Sequence, residues 1–129
     1  MTTDLWMVVW TVVLASLLPM VYLVGRVQVP GGMAWALGNR DSPLEVPPWA
    51  GRAERAHRNL LESLGAFAAL VLVAHVSGSA NATTALGATI FFWGRVAHAG
   101  VYVAGITGLR TAAFFVAAFG ELLILLQLF

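Results

Sequence analysis

Long apolar runs alternate with short polar segments along the chain, and the runs set the predicted architecture. The first run, residues 5–25, contains no charged residue between Asp4 and Arg26. A helix that crosses a bilayer needs about 20 mostly apolar residues, and three later stretches are also long enough. The pattern predicts an all-α protein, a single domain over residues 1–129 that forms a four-transmembrane-helix bundle. The predicted helices cover about residues 5–26, 52–77, 82–104 and 109–129.

Helix-breaking residues mark the predicted connections. The longest connection, residues 27–51, contains the prolines Pro30, Pro43, Pro47 and Pro48. It also contains a short apolar piece, Met33–Leu37, that can form a brief helix. Residues 77–81 and 105–108 are rich in glycine and small residues and predict tight turns.

Composition supports a membrane setting. Hydrophobic residues make up 60% of the chain and charged residues 10%, and the mean hydropathy is +0.84. Soluble domains are about 45–50% apolar and about 25% charged. A short soluble fold leaves too much surface exposed to hide so many apolar side chains. We therefore expect an integral multi-pass membrane protein.

Charge and cysteine content argue against nucleic-acid binding, thiolate metal sites and cysteine catalysis. The net charge of +1 argues against nucleic acid as a partner, because that function needs a concentrated basic surface. All seven basic residues are Arg, the residue that binds carboxylates and phosphates with two parallel hydrogen bonds. Cysteine is absent, which excludes thiolate metal sites and a cysteine nucleophile. No metal site is predicted.

Arginine placement predicts the orientation in the membrane. The first and third connections and their edges carry Arg26, Arg40, Arg52, Arg55 and Arg110. The second connection and both termini carry none. Because cytoplasmic loops are enriched in Lys and Arg, we expect the first and third connections in the cytoplasm and both termini on the other side.

Ionisable residues inside the predicted spans recur at helical spacing, and such residues are usually functional or paired. On the second helix, one face carries Arg55, Arg58, Asn59 and Glu62. On the third helix, one face carries Arg95, His98 and Tyr102. The predicted topology puts both faces in the cytoplasmic leaflet, where Arg110 begins the fourth helix.

These residues predict an anion-binding site. The predicted site contains one clear carboxylate, Glu62, and four arginines: Arg55, Arg58, Arg95 and Arg110. Several guanidinium groups suit a ligand with more than one carboxylate or phosphate. Asn59 and Tyr102 add neutral donors, and Glu62 can accept a hydrogen bond from a ligand ammonium.

The sequence also allows purely structural roles for these arginines and histidines. Arg52, Arg55, Arg58 and Arg110 can be positively charged anchors at the membrane surface. Arg95 lies about 14 Å from the cytoplasmic end of its predicted helix. It can instead form a buried ion pair with Glu62 or Glu121. His98 can be a neutral core residue, and structural roles are expected for His57 and His75.

Two motifs resemble those of the MAPEG family, the membrane-associated proteins in eicosanoid and glutathione metabolism. Residues 54–62 contain Arg55-Ala56-His57-Arg58-Asn59-Leu60-Leu61-Glu62, which is similar to the R-A-H-x-N-x-x-E core of that family. Residues 94–102 and 109–111 resemble its R-x-x-H-x-x-x-Y and R-S/T segments. The loop at residues 38–41 looks like that of bacterial members, which implies a bacterial inner membrane.

The resemblance implies a homotrimer of four-helix subunits that binds glutathione between neighbouring subunits. On one subunit it implies contacts from Arg58, Asn59 and Glu62, with Arg55 beside them. On the next subunit it implies contacts from Arg95, His98, Tyr102 and Arg110. Arg110 and Thr111 would be the catalytic residues that hold the sulfur as thiolate. Arg26 is a loose counterpart of a basic residue that follows the first helix in glutathione-using relatives.

The expected function is that of a membrane-bound glutathione transferase or peroxidase acting on lipophilic electrophiles. A second possibility is a non-catalytic protein of the same fold that binds lipid or glutathione. A small multidrug transporter is a third possibility, but that class needs a carboxylate in its first helix. Residues 5–25 contain none.

Overall fold

Helices account for most of the chain in the computed structural model, which describes residues 1–129. In chain order they are α1 (Thr3–Val27), α2 (Gly32–Leu37), α3 (Pro48–Val76), α4 (Ala82–Ala104) and α5 (Thr107–Leu125), followed by a 3₁₀ turn at Leu126–Leu128. The structure therefore confirms the all-α prediction. It also confirms a short helix at Met33–Leu37, as part of α2.

Three helical segments are long and apolar enough to cross a membrane: Thr3–Val27, Pro48–Val76 and Thr107–Leu128. They support membrane association of the chain. The fourth predicted span corresponds to α4, which has 23 residues and contains Arg95 and His98. These two polar side chains lower its hydropathy, so a count of four spans stays a prediction.

The starts of two helices near the predicted site differ from the sequence prediction. The third element, α3, begins at Pro48 and not near residue 52. Proline fits the first turn of a helix, because its fixed φ is helical and the missing N–H has no partner there anyway. The last long helix, α5, begins at Thr107, two residues earlier than expected, and still leaves Arg110 in its first turn.

Small residues bring α4 and α5 together. A Cβ added to Gly94 would lie 2.9 Å from the backbone nitrogen of Ala117, and one added to Gly120 would lie 2.6 Å from the backbone nitrogen of Phe91. Both distances are too short for a real side chain. Small residues allow this close backbone contact, which is a common way for helices to associate in membranes.

Two apolar clusters join the long helices. In the larger cluster, the Phe67 and Phe91 rings stack with their centroids 3.9 Å apart and join α3 to α4. The smaller cluster lies nearer the other end of the bundle and consists of Ala15, Leu18, Leu60 and Ala99. Together they hold α1, α3, α4 and α5 as one bundle.

A polar network connects α1, α3 and α4 at the end that contains the N-terminus. Asp4 is 2% exposed, and its carboxylate accepts hydrogen bonds from Thr84 Oγ1 (3.2 Å) and the Leu5 backbone N–H (3.1 Å). His75 Nε2 lies 3.0 Å from the same carboxylate. This network gives His75 the structural role expected from the sequence.

Most of the apolar surface of a single chain is uncovered. Only 24 of 129 residues are buried, and exposed side chains include Trp6, Trp10, Trp93, Phe115 and Phe119. Soluble monomers rarely expose large contiguous apolar patches. Lipid, neighbouring subunits or both must therefore cover the outside of the bundle.

Candidate functional site

Two adjoining cavities lie at the end of the bundle where α4 turns into α5. The first, which we call the arginine cavity, has a volume of about 110 Å³ and is lined by Arg52, Arg55, Tyr102, Gly105, Ile106, Thr107 and Arg110. The second, the phenylalanine cavity, has a volume of about 300 Å³ and is lined by Asn59, His98, Tyr102, Arg110, Thr111, Phe114 and Phe115. Because both are lined by Tyr102 and Arg110, they adjoin each other and together form the candidate site.

Arg110 and Tyr102 separate the two cavities. The Arg110 guanidinium lies over the Tyr102 ring, 4.7 Å from its centroid, in a cation–π contact that fixes both side chains. Arg110 is in the first turn of α5, where the unpaired N–H groups of a helix create a positive potential. This position therefore combines a permanent cation with a favourable helix end.

Arg52 stabilises the turn that carries these residues. Its Nε donates a hydrogen bond to the Val103 backbone carbonyl at 2.9 Å. The Arg52 guanidinium also packs against Gly105, whose φ of +84° is a conformation that glycine adopts without strain. Sequence reasoning treated Arg52 only as a surface anchor. Its spacing of three residues from Arg55, which puts both on one helix face, was the available signal.

Arg95 lies behind the phenylalanine cavity and is 3% exposed. Its Nη1 donates to Asn59 Oδ1 at 2.8 Å, and its Nη2 donates to Ser63 Oγ. The expected ion pair with Glu62 or Glu121 is not formed within the chain, so that prediction is wrong for the single subunit. Neutral acceptors on α3 take the place of the carboxylate.

Two aromatic rings pack against the Arg95 guanidinium, and one of them, Phe114, also lines the phenylalanine cavity. The Phe91 and Phe114 ring centroids each lie 5.4 Å from the Arg95 guanidinium carbon. His98 contacts the Tyr102 ring edge-to-face, with centroids 5.4 Å apart, and lies 6.4 Å from the Phe114 ring centroid. His98 is thus packed among aromatic side chains and also lines the cavity.

Besides Arg95, three of the candidate residues lie outside both cavities in the single chain. Arg26 Nη2 contacts Glu54 Oε2 at 2.9 Å, and Arg58 Nη2 is 4.0 Å from the other oxygen of Glu54. Arg26 also packs over Trp35. Arg58 and Glu62 are both exposed on α3. Arg26 is thus occupied within the chain, whereas the exposed Arg58 and Glu62 are accessible to another molecule.

The structure thus divides the predicted site residues into three groups. It brings together in the two cavities Arg55, Asn59, His98, Tyr102, Arg110 and Thr111. It puts Arg95 behind them, and it leaves outside Arg26, Arg58 and Glu62. Sequence reasoning missed Arg52, Ser63 and Phe114, since an arginine, a serine and a phenylalanine are common in membrane helices. His57 contacts the Tyr22 hydroxyl at 3.3 Å, away from the cavities, in agreement with a structural role.

The donor set suits an anion. The ion pairs of the chain are Arg26–Glu54, Arg58–Glu54 and His75–Asp4. Four arginines therefore have no acidic partner within the chain: Arg52, Arg55, Arg95 and Arg110. Arg95 is buried, and Arg52 and Arg110 are partly buried; such cations are unfavourable without a counter-ion. A ligand with several carboxylates would balance the three that line the arginine cavity.

Comparison with known proteins identifies the family of the chain. The sequence model of the MAPEG family matches residues 5–129, nearly the whole chain. A search among curated proteins gives no match. The matched range includes all residues of both cavities and every helix except the first two residues of α1. The chain belongs to the MAPEG family.

Proposed function

We propose that the protein is a membrane-bound glutathione transferase or peroxidase that acts on lipophilic electrophiles. The observation that carries the proposal is the joined pair of cavities, one cationic and one aromatic, that meet at Arg110. Glutathione transferases occur among the members of the MAPEG family, to which the chain belongs. A cation at the junction lies where a bound thiol and an apolar electrophile would meet.

The arginine cavity fits the charged groups of glutathione. This tripeptide carries two carboxylates, one ammonium and one thiol. The guanidinium groups of Arg52, Arg55 and Arg110 line the cavity and can each form paired hydrogen bonds to a carboxylate. Asn59, His98 and Tyr102 add neutral polar groups on the adjoining side. The site thus offers cations for the carboxylates and neutral donors for the peptide carbonyls.

Arg110 is the residue that we assign to thiolate stabilisation. A free thiol has a pKa of about 8.5 and is mostly protonated near neutral pH, whereas the thiolate is the nucleophile. The Arg110 guanidinium favours the thiolate electrostatically, and the N-terminal end of α5 adds to the same field. The Thr111 hydroxyl is adjacent and can donate a weaker, neutral hydrogen bond. When bound, glutathione supplies a sulfur nucleophile for conjugation or peroxide reduction.

Phe114 and Phe115 form the side of the site where an apolar substrate would enter. Phe115 is 65% exposed on α5, where the neighbouring Val116 and Phe119 are also exposed. An electrophile dissolved in the bilayer could therefore reach the cavity without crossing water. Apolar walls also exclude water, which strengthens the electrostatic effect of Arg110.

Assembly is part of the proposal. We place the glutathione site between subunits of a homotrimer, where the exposed Arg58 and Glu62 of one subunit can complete the cavities of its neighbour. Glu62 would accept a hydrogen bond from the ligand ammonium, and Arg26 would add a cation near the end of α1. We place the protein in a bacterial inner membrane, as four spans with both termini on the non-cytoplasmic side.

A non-catalytic function is the second candidate. An apolar groove of about 360 Å³ between α4 and α5 is lined by Thr89, Ile90, Trp93, Gly94, Ala97, Ala113 and Val116. It has the apolar lining that an acyl chain requires and has no reactive side chain. A lipid-binding or glutathione-binding protein of the same fold would use such a groove without turnover.

Purified protein in detergent distinguishes the two candidates. Calorimetry should detect glutathione binding, and a generic aromatic electrophile should be conjugated in a glutathione-dependent reaction. Binding without conjugation or peroxide reduction supports the non-catalytic candidate. Absence of glutathione binding contradicts the proposal as a whole.

A further inference from the structure

We propose that Arg95 is a positioning residue that locks the Asn59 side chain, so that its amide NH₂ faces the phenylalanine cavity and recognises an acceptor atom of the ligand. The inference rests on the proposed glutathione site and adds a specificity mechanism to it. It assigns Arg95 an indirect role, behind the cavity lining.

Hydrogen-bond chemistry fixes which way the amide points. A guanidinium has only donors, whereas a carboxamide has one accepting oxygen and one donating nitrogen. Arg95 Nη1 donates to Asn59 Oδ1 at 2.8 Å. In the opposite orientation, the amide would point its hydrogens at those of the guanidinium. Asn59 Oδ1 must therefore face Arg95, which leaves Nδ2 for the cavity that Asn59 lines.

The rest of the Arg95 environment prevents it from moving. Its Nη2 donates to Ser63 Oγ, and the Ser63 hydroxyl in turn donates to the Leu60 carbonyl at 3.0 Å. Phe91 and Phe114 lie beside the guanidinium at 5.4 Å. The side chain is also buried, at 3% exposure. Two donors and two aromatic contacts thus hold one arginine in one position.

The consequence is a site that discriminates by polarity. Asn59 Nδ2 makes no hydrogen bond within the chain and is not among its fully buried polar atoms. It can only donate, so it selects a carbonyl, carboxylate or thiolate and disfavours a ligand ammonium at that position. Ligands that place a donor there would leave two opposed N–H groups, which is strongly unfavourable.

A double-mutant cycle on glutathione affinity tests the lock. We expect Asn59→Leu to weaken glutathione binding about tenfold, as loss of a hydrogen bond to a charged or strongly polar group does. Arg95→Leu should weaken it by a similar factor, and Arg95→Lys by less, because an ammonium can still donate to Asn59 Oδ1. The double variant Asn59→Leu/Arg95→Leu should bind no more weakly than Asn59→Leu alone. Losses that multiply in the double variant would show direct ligand contact by Arg95 and overturn the proposal.

A polarity-reversing variant provides a second test that also works without ligand. Asn59→Asp keeps an oxygen toward Arg95 but replaces the donor in the cavity with a negative acceptor. It should melt at or above the temperature of the wild type and bind glutathione more weakly than Asn59→Leu does. Equal melting temperatures for Asn59→Asp and Asn59→Leu would overturn the lock, whether or not glutathione binds. If the wild type does not bind glutathione but the melting temperatures follow the expected order, the proposed function fails and the lock stands.

Discussion

Arg52 shows how one side chain can serve both the structure and the ligand. Its Nε holds the Val103 carbonyl, while the rest of its guanidinium lines the arginine cavity. We expect Arg52→Ala to weaken glutathione binding by about tenfold or more, because hydrogen bonds to charged groups contribute about 1.5–3 kcal/mol. Calorimetric titration of the purified variant measures the change.

Arg40→Ala is the matched control for Arg52→Ala. Arg40 is also an arginine near the predicted cytoplasmic surface, but its Nη2 donates only to the Ala36 carbonyl, four residues away in the chain. It should leave glutathione affinity unchanged. An equal loss in both variants would indicate a general effect of net charge and would remove Arg52 from the site.

The sequence predicted which side chains share a helix face, but it did not predict their partners on other helices. The spacing of Arg95, His98 and Tyr102 predicted one polar face, and the structure places His98 and Tyr102 in the phenylalanine cavity and Arg95 behind it. The acid partner predicted for Arg95 was wrong within the chain, because charge counting considers only carboxylates. Asn59 and Ser63 are neutral, and their suitability depends on the rotation of α3 against α4, which no spacing rule gives.

At the element scale, the contact between α4 and α5 depends on glycine. We expect Gly94→Ala to destabilise the protein, since the added Cβ would meet the backbone of Ala117 at 2.9 Å and overpacking typically costs about 1–3 kcal/mol. Gly100→Ala is the control on the same helix, because nothing lies within 4 Å of its added Cβ. It should be neutral or stabilising, as alanine favours helices. Thermal unfolding in detergent compares the two, and similar melting temperatures would refute the close contact.

The network at the opposite end of the bundle should affect stability without affecting the site. Asp4→Ala removes the buried acceptor that Thr84 and His75 share, and hydrogen bonds to charged groups contribute about 1.5–3 kcal/mol. We expect a lower melting temperature and unchanged glutathione affinity per folded protein. Asp41→Ala, in the exposed loop before α3, should change neither. If fully folded Asp4→Ala protein bound glutathione more weakly, the two ends of the bundle would not be independent of each other.

Helix existence was predictable, whereas one helix start was not. Uninterrupted apolar runs gave α1 and α5 within two residues of their observed starts. Pro47 and Pro48 were interpreted as loop residues, although Pro48 opens α3. A pair of prolines marks a helix boundary, but proline fits both a loop and the first turn of a helix. The pair alone therefore does not show that Pro48 belongs to α3.

At the scale of the whole molecule, the uncovered apolar surface predicts association. We expect native mass spectrometry in detergent to show a trimer, because Arg58 and Glu62 project from α3 into no cavity of their own chain. A stable monomer or dimer that still binds glutathione would contradict a site shared between three subunits. Orientation and assembly could not be derived from one chain, since they depend on lipid and on partner surfaces.

Ultraviolet absorption of bound glutathione tests directly whether Arg110 stabilises the thiolate, because the absorption differs between thiolate and thiol. Wild-type protein saturated with glutathione near neutral pH should show the thiolate signal. Arg110→Ala should abolish the signal and the conjugation activity while glutathione still binds through Arg58, Asn59, Glu62 and His98, and Thr111→Ala should reduce both more mildly. If Arg110→Ala retains the thiolate signal and its turnover per folded trimer, Arg110 is only a membrane-surface anchor and the account is wrong.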